Sequence, residues 1–187
     1  PIWFKKMECS EILLKEFSKI DVIYVIGGNN VRNRGKPLPV VKYNSSTRVW
    51  SETTPLIPKK PINCAVVKDK VYLFGGQDGF RDLNIVEVFD TKTQTYRTLK
   101  PMKFGRQNCG IAVLNNFIYV AGGDNDGQIL NIVERYNIEA DEWEDVVPMN
   151  RKRSAFGLVE LNGKLYAVGG LDDGHSRSLK NDLECYD

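Results

Sequence analysis

The chain has 187 residues, 42% hydrophobic and 27% charged, the balance of a soluble globular protein long enough to bury a core. Lys and Arg total 26 against 24 Asp and Glu, and the resulting net charge of +2 supplies no general field for nucleic acid or an anionic membrane. No apolar run approaches the roughly 20 residues that a membrane-spanning helix needs, and residues 1–20 lack the uninterrupted apolar stretch of a signal peptide, so the expected location is cytoplasmic, with a cytoskeletal or nuclear association as variants of it.

The first 20 residues contain EILLKEF, which reads as helical. From Asp21 onward the pattern changes to short apolar strands that end in a glycine doublet: VIYVIGG (22–28), VYLFGG (71–76), FIYVAGG (117–123) and LYAVGG (165–170). The doublets Gly27-Gly28, Gly75-Gly76, Gly122-Gly123 and Gly169-Gly170 are 48, 47 and 47 residues apart. Each is followed by an aromatic residue, Tyr43, Phe89, Tyr136 and Tyr186, and the first three are followed seven residues later by a second aromatic, Trp50, Tyr96 and Trp143. So many coincidences at matched offsets define an internal repeat.

Each unit reads as four short strands, A to D, the content expected of a propeller blade. In the third unit strand A is CGIAVL (109–114), and an Asn115-Asn116 turn leads into strand B, FIYVAGG. The next unit places Asn162-Gly163 in the same turn. Strand C is IVERYN (132–137), where alternation puts Val133, Arg135 and Asn137 on one face and Ile132, Glu134 and Tyr136 on the other. The connection IEADE (138–142) is short enough to hold strands C and D antiparallel, which would bring Tyr136 against Trp143.

The doublet glycines suit a place where the backbone turns or approaches other atoms closely. They do not read as a phosphate loop, because neither GxGxxG nor GxxxxGK[ST] is present and no helical period follows any doublet. The cysteines, Cys9, Cys64, Cys109 and Cys185, form no CxxC pair and accompany a single histidine, so neither a zinc site nor a disulfide framework is indicated. Cys64 and Cys109 lie in apolar strand patterns and are expected to be buried, inert thiols. The triplet Asn44-Ser45-Ser46 is a glycosylation sequon that would matter only in a secreted protein.

The doublet ending strand B, the strand C sequences IVEVFD (85–90), IVERYN (132–137) and LECYD (183–187), the aromatic seven residues on, Pro101-Met102 and Pro148-Met149, and the arginines Arg106 and Arg153 opening strand A together resemble the kelch repeat over residues 22–187. LNIVEVFD (83–90) and LNIVERYN (130–137) are most similar to the BTB-kelch subtype. The resemblance implies an all-β fold of kelch β-propeller blades, each of four antiparallel strands, with 1–20 as an N-terminal remnant of an upstream linker or BACK region and 21–187 as a partial propeller. The expected blades are 21–57, 58–104, 105–151 and a truncated 152–187, some 3.5 to 4 of an expected six, so that the chain is expected to be a fragment cut at its C-terminus. Such a fragment would leave an apolar blade face and strand edges uncovered, and marginal stability with self-association is expected of it. The first unit departs from the pattern at Val41, where the other units have Glu87, Glu134 and Glu184, and the second has Lys59 where the arginine is expected.

Propellers present partners to loops at the ends of strands. The loops between strands B and C carry Arg32, Arg34 and Lys36 in the first unit, Arg81 in the second, Asp126 in the third, and His175 with Arg177 in the fourth, a set able to grip an acidic peptide or simply to be solvated. In relatives of the BTB-kelch type the residue two after the repeat arginine often faces the bound partner, which transfers here to Asn108 and Ala155, and to Pro61 where the arginine is replaced. None of these is charged, which argues against a strongly acidic motif as the partner. The repeat arginines and Glu87, Glu134 and Glu184 are assigned to scaffold ion pairs or hydrogen bonds.

The resemblance implies a protein-interaction module, the substrate-recognition part of an adaptor that delivers a bound protein to a cullin-RING ubiquitin ligase through BTB and BACK domains. Binding of actin or another cytoskeletal partner through the same loops is the alternative. A propeller enzyme is the remote one: a copper oxidase would need more than one imidazole, yet His175 is the only histidine, no sialidase Asp box occurs, and Asp124, Asp126, Asp172 and Asp173 read as turn residues. No catalytic residue, cofactor, metal or nucleic acid is expected.

Overall fold

The computed structural model describes residues 22–25, 39–55, 63–78, 80–172 and 182–187. The expected helix at 11–17 and the glycines Gly27 and Gly28 lie outside them. All regular structure among the described residues is β, arranged as antiparallel sheets that follow one another along the chain. The first sheet has strands β1 (Val22–Val25), β2 (Pro39–Asn44) and β3 (Val49–Pro55). The second has β4 (Asn63–Val67), β5 (Lys70–Phe74), β6 (Val86–Asp90) and β7 (Thr95–Leu99), hydrogen-bonded in that order.

The third sheet begins with β8 (Gly110–Leu114) and β9 (Phe117–Ala121). A small ribbon of β10 (Asp124–Asn125) and β11 (Gln128–Ile129) rises from it, and β12 (Val133–Asn137) and β13 (Glu142–Val146) complete the order β8-β9-β12-β13. The fourth contains β14 (Gly157–Leu161), β15 (Lys164–Val168) and β16 (Leu183–Tyr186). The second and third sheets are complete four-stranded units, with strands A to D in chain order.

Local sequence explains the hairpins. Asn115 and Asn116 adopt φ of 49° and 65°, and Asn162 and Gly163 adopt 54° and 77°, the left-handed pair that a two-residue turn between twisted strands requires. Between strands C and D, the Asn137 carboxamide oxygen accepts the N–H groups of Glu139 and Ala140 at 3.0 and 3.1 Å, closing the turn. The resulting register sets Tyr43 opposite Trp50, Phe89 opposite Tyr96 and Tyr136 opposite Trp143. Their ring centroids lie 4.8, 4.7 and 5.2 Å apart.

Several boundaries differ from the sequence reading. Strand B stops before the glycine doublet instead of running through it, because Gly75, Gly76, Gly122 and Gly123 have φ between 56° and 99° and leave the extended conformation. Strands A and C of the third unit begin one residue later, at Gly110 and Val133. The loop after Gly123, read as a polar connection between strands B and C, pairs with itself as β10 and β11.

The blades pack face to face around two apolar layers. Between the second and third sheets, Tyr72, Phe74, Val86, Val88 and Leu99 meet Ile118, Val120 and Tyr136, with Trp143 edge-on to Phe74 at 6.1 Å. Between the third and fourth, Ala112, Leu114, Tyr119, Ala121 and Val133 meet Leu165, Leu158 and Phe156. Val133 and Tyr136 thus serve opposite layers, as alternation along strand C requires. Cys109 is buried in the first layer, where desolvation pushes its thiol up to about 11. Cys64 is exposed, contrary to the expectation of burial. Strand period sends Ala65 and Val67 towards β8 but Cys64 and Val66 out of the opposite face of β4, so an apolar pattern there did not mean burial.

One joint recurs at both of these interfaces. The Arg106 N–H donates to the Leu83 carbonyl at 3.0 Å, and the Arg106 carbonyl accepts the Gly76 N–H at 3.2 Å. Arg153 makes the same pair of bonds to Leu130 and Gly123, at 3.0 and 2.8 Å. Asn84 and Asn131 then close each joint by exchanging backbone and side-chain hydrogen bonds with Met102 and Met149, all between 2.8 and 2.9 Å. A Cβ on Gly75 would collide with the Arg106 carbonyl, and one on Gly122 would lie 2.5 Å from that of Arg153. The first position of the doublet is therefore glycine because the next blade's arginine backbone occupies the space a side chain would take, whereas a Cβ on the second, Gly123, would lie 2.7 Å from the Gln107 carbonyl of its own unit.

The arginine side chains turn back into their own blades. Fully buried Arg106 donates to the Gly122 and Ile132 carbonyls at 3.0 and 3.2 Å and pairs with buried Glu134. Glu134 in turn accepts the Lys103 N–H at 2.8 Å. Arg153 repeats this with the Gly169 carbonyl at 2.7 Å and Glu184 at 3.0 Å, and Glu184 accepts the Asn150 N–H at 2.6 Å.

Substituting Gly75 with Ala combines a left-handed φ with a collision against backbone, whereas Gly163, at a turn with open space around it, meets only the former. Gly163→Ala is expected to cost about 1–2 kcal/mol, and Gly75→Ala distinctly more, read from urea midpoints; equal losses would contradict the joint. Arg106→Ala strands the Glu134 carboxylate in the interior, with an expected cost of about 3–5 kcal/mol. Adding Glu134→Leu is expected to recover part of that loss, while Asp145→Asn, which breaks the exposed Lys103–Asp145 contact, should leave the midpoint nearly unchanged.

Candidate partner-binding face

The order A-B-C-D within the second and third antiparallel sheets sends the A–B and C–D turns to one end and the B–C and D–A connections to the other. Hydrogen bonds within each unit and from one unit to the next show that these latter ends lie together. Gln107 bridges Asp124 through both backbone groups at 3.0 and 2.8 Å, Ser154 bridges Leu171 in the same way, and the Ala155 N–H donates to the Asn108 carbonyl at 2.8 Å. The B–C loops of the second and third sheets join directly: Asp126 accepts the Asp82 N–H at 2.8 Å, and Asp82 accepts the Asp126 N–H at 2.7 Å. The result is a continuous rim whose backbone is fixed while several side chains remain exposed.

On this rim Arg81 and Asp126 are exposed, Asn108 is half-buried and Ala155 is exposed. Asn108 and Ala155 adopt nearly the same left-handed backbone, φ 52° and 53°. Their equivalent conformation turns the chain just after each repeat arginine, and their mutual hydrogen bond links one unit's rim to the next. Arg32, Arg34, Lys36, Pro61, His175 and Arg177 lie outside the described residues, as does Lys59. Asp126, read as a partner contact, also has a structural task here, since its carboxylate holds the neighbouring loop.

Two rim residues escaped the sequence reading. Asp82 is buried next to Asp124 and Asp126; desolvation, reinforced by those two charges and partly opposed by the Asp126 N–H, raises its carboxyl above the usual range. Phe80 stands 93% exposed at the loop tip. The signal for Phe80 was present in QDGFRD, where an aromatic sits inside a polar turn and outside any strand alternation. Asp82 carried no such signal, because its partner lies 44 residues away in sequence. Among the described residues no group of three or more His, Cys, Asp or Glu is arranged to hold a metal ion.

Stacked four-stranded sheets joined through strand-B doublets and buried arginines define a β-propeller repeat protein. The chain belongs to the kelch-repeat family: the KLHDC2/KLHL20/DRC7 Kelch-repeats domain matches residues 16–170. Kelch-like protein 7 of Rattus norvegicus is 37% identical over 76 residues, which is 40% of this chain and 13% of that protein. Kelch-like protein 23 of Homo sapiens is 36% identical over 92 residues, 48% of this chain and 16% of that protein. An F-box/kelch-repeat protein of Arabidopsis thaliana is 35% identical over 81 residues, 42% of this chain and 22% of that protein. These matches span less than a quarter of each relative's length.

Because Asp82 binds a proton more readily in the folded protein than in the unfolded one, folded stability falls as the pH rises through the carboxylate range. Asn at this position keeps an oxygen for the Asp126 N–H and removes the buried charge. Asp82→Asn is therefore expected to exceed the parent in stability at neutral pH, with the difference closing in acid; urea titrations across that range would detect a constant difference if the argument were wrong.

Proposed function

We propose that the chain is a protein-interaction module and the partner-reading part of an adaptor that presents a bound protein to a cullin-RING ubiquitin ligase. The observation that carries the binding reading is the rim itself. Its backbone is immobilised by bonds between blades, yet its side chains differ from unit to unit at matched positions: Asn108 against Ala155, and Phe80 and Arg81 against Gly127 and Gln128. A rigid frame with variable side chains suits recognition, because little conformational entropy is lost on binding. Membership of the kelch-repeat family and partial similarity to kelch-like proteins support the adaptor role. The expected site of action is the cytoplasm, and no chemistry is assigned to the rim.

The test is capture of the whole protein that carries these repeats, from cells with a blocked proteasome, followed by mass spectrometry of wild type and Asn108→Arg. Recovery of a cullin with both, and of a second protein with wild type alone that accumulates when the protein is removed, is the expected result. Actin or filament proteins without a cullin would replace the adaptor reading with a cytoskeletal scaffold.

A further inference from the structure

A lone apolar side chain on a surface is ordinary, but Phe80 is held there by its own loop. The Asp78 carboxylate accepts the N–H groups of Phe80 and Arg81, both at 2.9 Å, and the Asp78 N–H donates to the Arg81 carbonyl at 3.3 Å. Gln77 and Asp82 pair at the base, and the Leu83 N–H closes the loop onto the Gly76 carbonyl at 2.7 Å. The equivalent loop of the next blade has the same length and the same closing bond, Leu130 to Gly123 at 2.9 Å, but its tip residue, 47 positions after Phe80, is Gly127 with open space around it. Loop geometry thus does not call for an aromatic at the tip, and a 93% exposed ring there contributes nothing to the fold.

The charged groups around the tip differ in what they already bind. Asp78 is engaged by the N–H groups of its own turn, and Asp82 and Asp126 by each other's, so their carboxylates already have donors. Arg81 is exposed and makes no ion pair among the described residues. A guanidinium in that situation is suited to a carboxylate through paired hydrogen bonds, and aromatic side chains and arginine are both enriched at the cores of protein interfaces.

We propose that Phe80 and Arg81 form the anchor of the rim, and that the occupant is a partner-protein segment carrying an apolar side chain next to an Asp or Glu. This rests on the reading of the rim as a protein-binding face and names what that face selects. Phe80 packs on the apolar side chain, and Arg81 takes the carboxylate.

The experiment is selection of phage-displayed random dodecapeptides on the full chain, with the recovered sequences synthesised and measured by fluorescence polarisation. The expected peptides pair an aromatic or long aliphatic residue with an adjacent acid. Phe80→Ala weakens them about tenfold or more without lowering the melting temperature, and Arg81→Glu removes the acidic preference and accepts the peptide with that acid changed to Lys. Selected peptides that bind wild type, Phe80→Ala and Arg81→Glu alike but are blocked by Asn108→Arg would overturn the anchor and leave the binding face standing. Self-association that Phe80→Ala abolishes, with no peptide recovered, would make a second copy the occupant and overturn the proposal; no enrichment and no self-association would remove the binding face as well.

Discussion

One buried arginine at each of the two described interfaces, Arg106 and Arg153, governs how these blades meet. Its backbone belongs to the interface with the preceding blade, where it exchanges hydrogen bonds with a leucine carbonyl and the second doublet glycine. Its side chain belongs to its own blade, where it holds the first doublet glycine's carbonyl and the strand C glutamate. Guanidinium suits this position because its planar set of donors serves a carbonyl and a carboxylate at once. Burying such a charge is tolerable only because it is paired and hydrogen-bonded.

Several features follow from that placement. The first doublet position is glycine because the neighbouring arginine carbonyl fills the volume of a side chain. The repeat asparagine and methionine stand where they do because Asn84 and Asn131 finish the same joint on the backbones of Met102 and Met149. With these bonds made, the B–C and D–A segments of adjacent blades are held in contact, and the rim acquires its fixed backbone. Apolar packing between the sheets supplies the bulk of the burial, but it is not directional; the joint makes it so, setting which ends of neighbouring blades coincide.

The fold was legible in the sequence to a large degree, because repetition turns each local signal into a test of the others. The doublets, the seven-residue aromatic spacing and the Asn-Asn and Asn-Gly turns are local features, and the register pairs them as spacing predicts. The assignment of Arg106, Arg153, Glu134 and Glu184 to the scaffold also came from their recurrence. The candidate site was legible only in outline. Arg81, Asn108, Asp126 and Ala155 were recognisable as loop residues, but nothing local announced that Asp126 would hold Asp82, or that Asn108 and Ala155 would share a left-handed backbone and a hydrogen bond.

What the sequence by itself determined was the content of each unit: strands from alternation, turns from residues that tolerate positive φ, and family from matched offsets, all of which depend on neighbours within a few residues or on comparison between units. What only the tertiary structure decided was exposure and pairing across blades. Cys64 and Cys109 sit in similar apolar contexts, yet one faces away from the adjoining sheet and the other into it, since burial depends on which face of a strand has a neighbour. Phe80 is likewise an aromatic like many others until the fold leaves it at the tip of a pinned loop. Period along a strand reports which side chains share a face; only the arrangement of sheets reports what, if anything, covers that face.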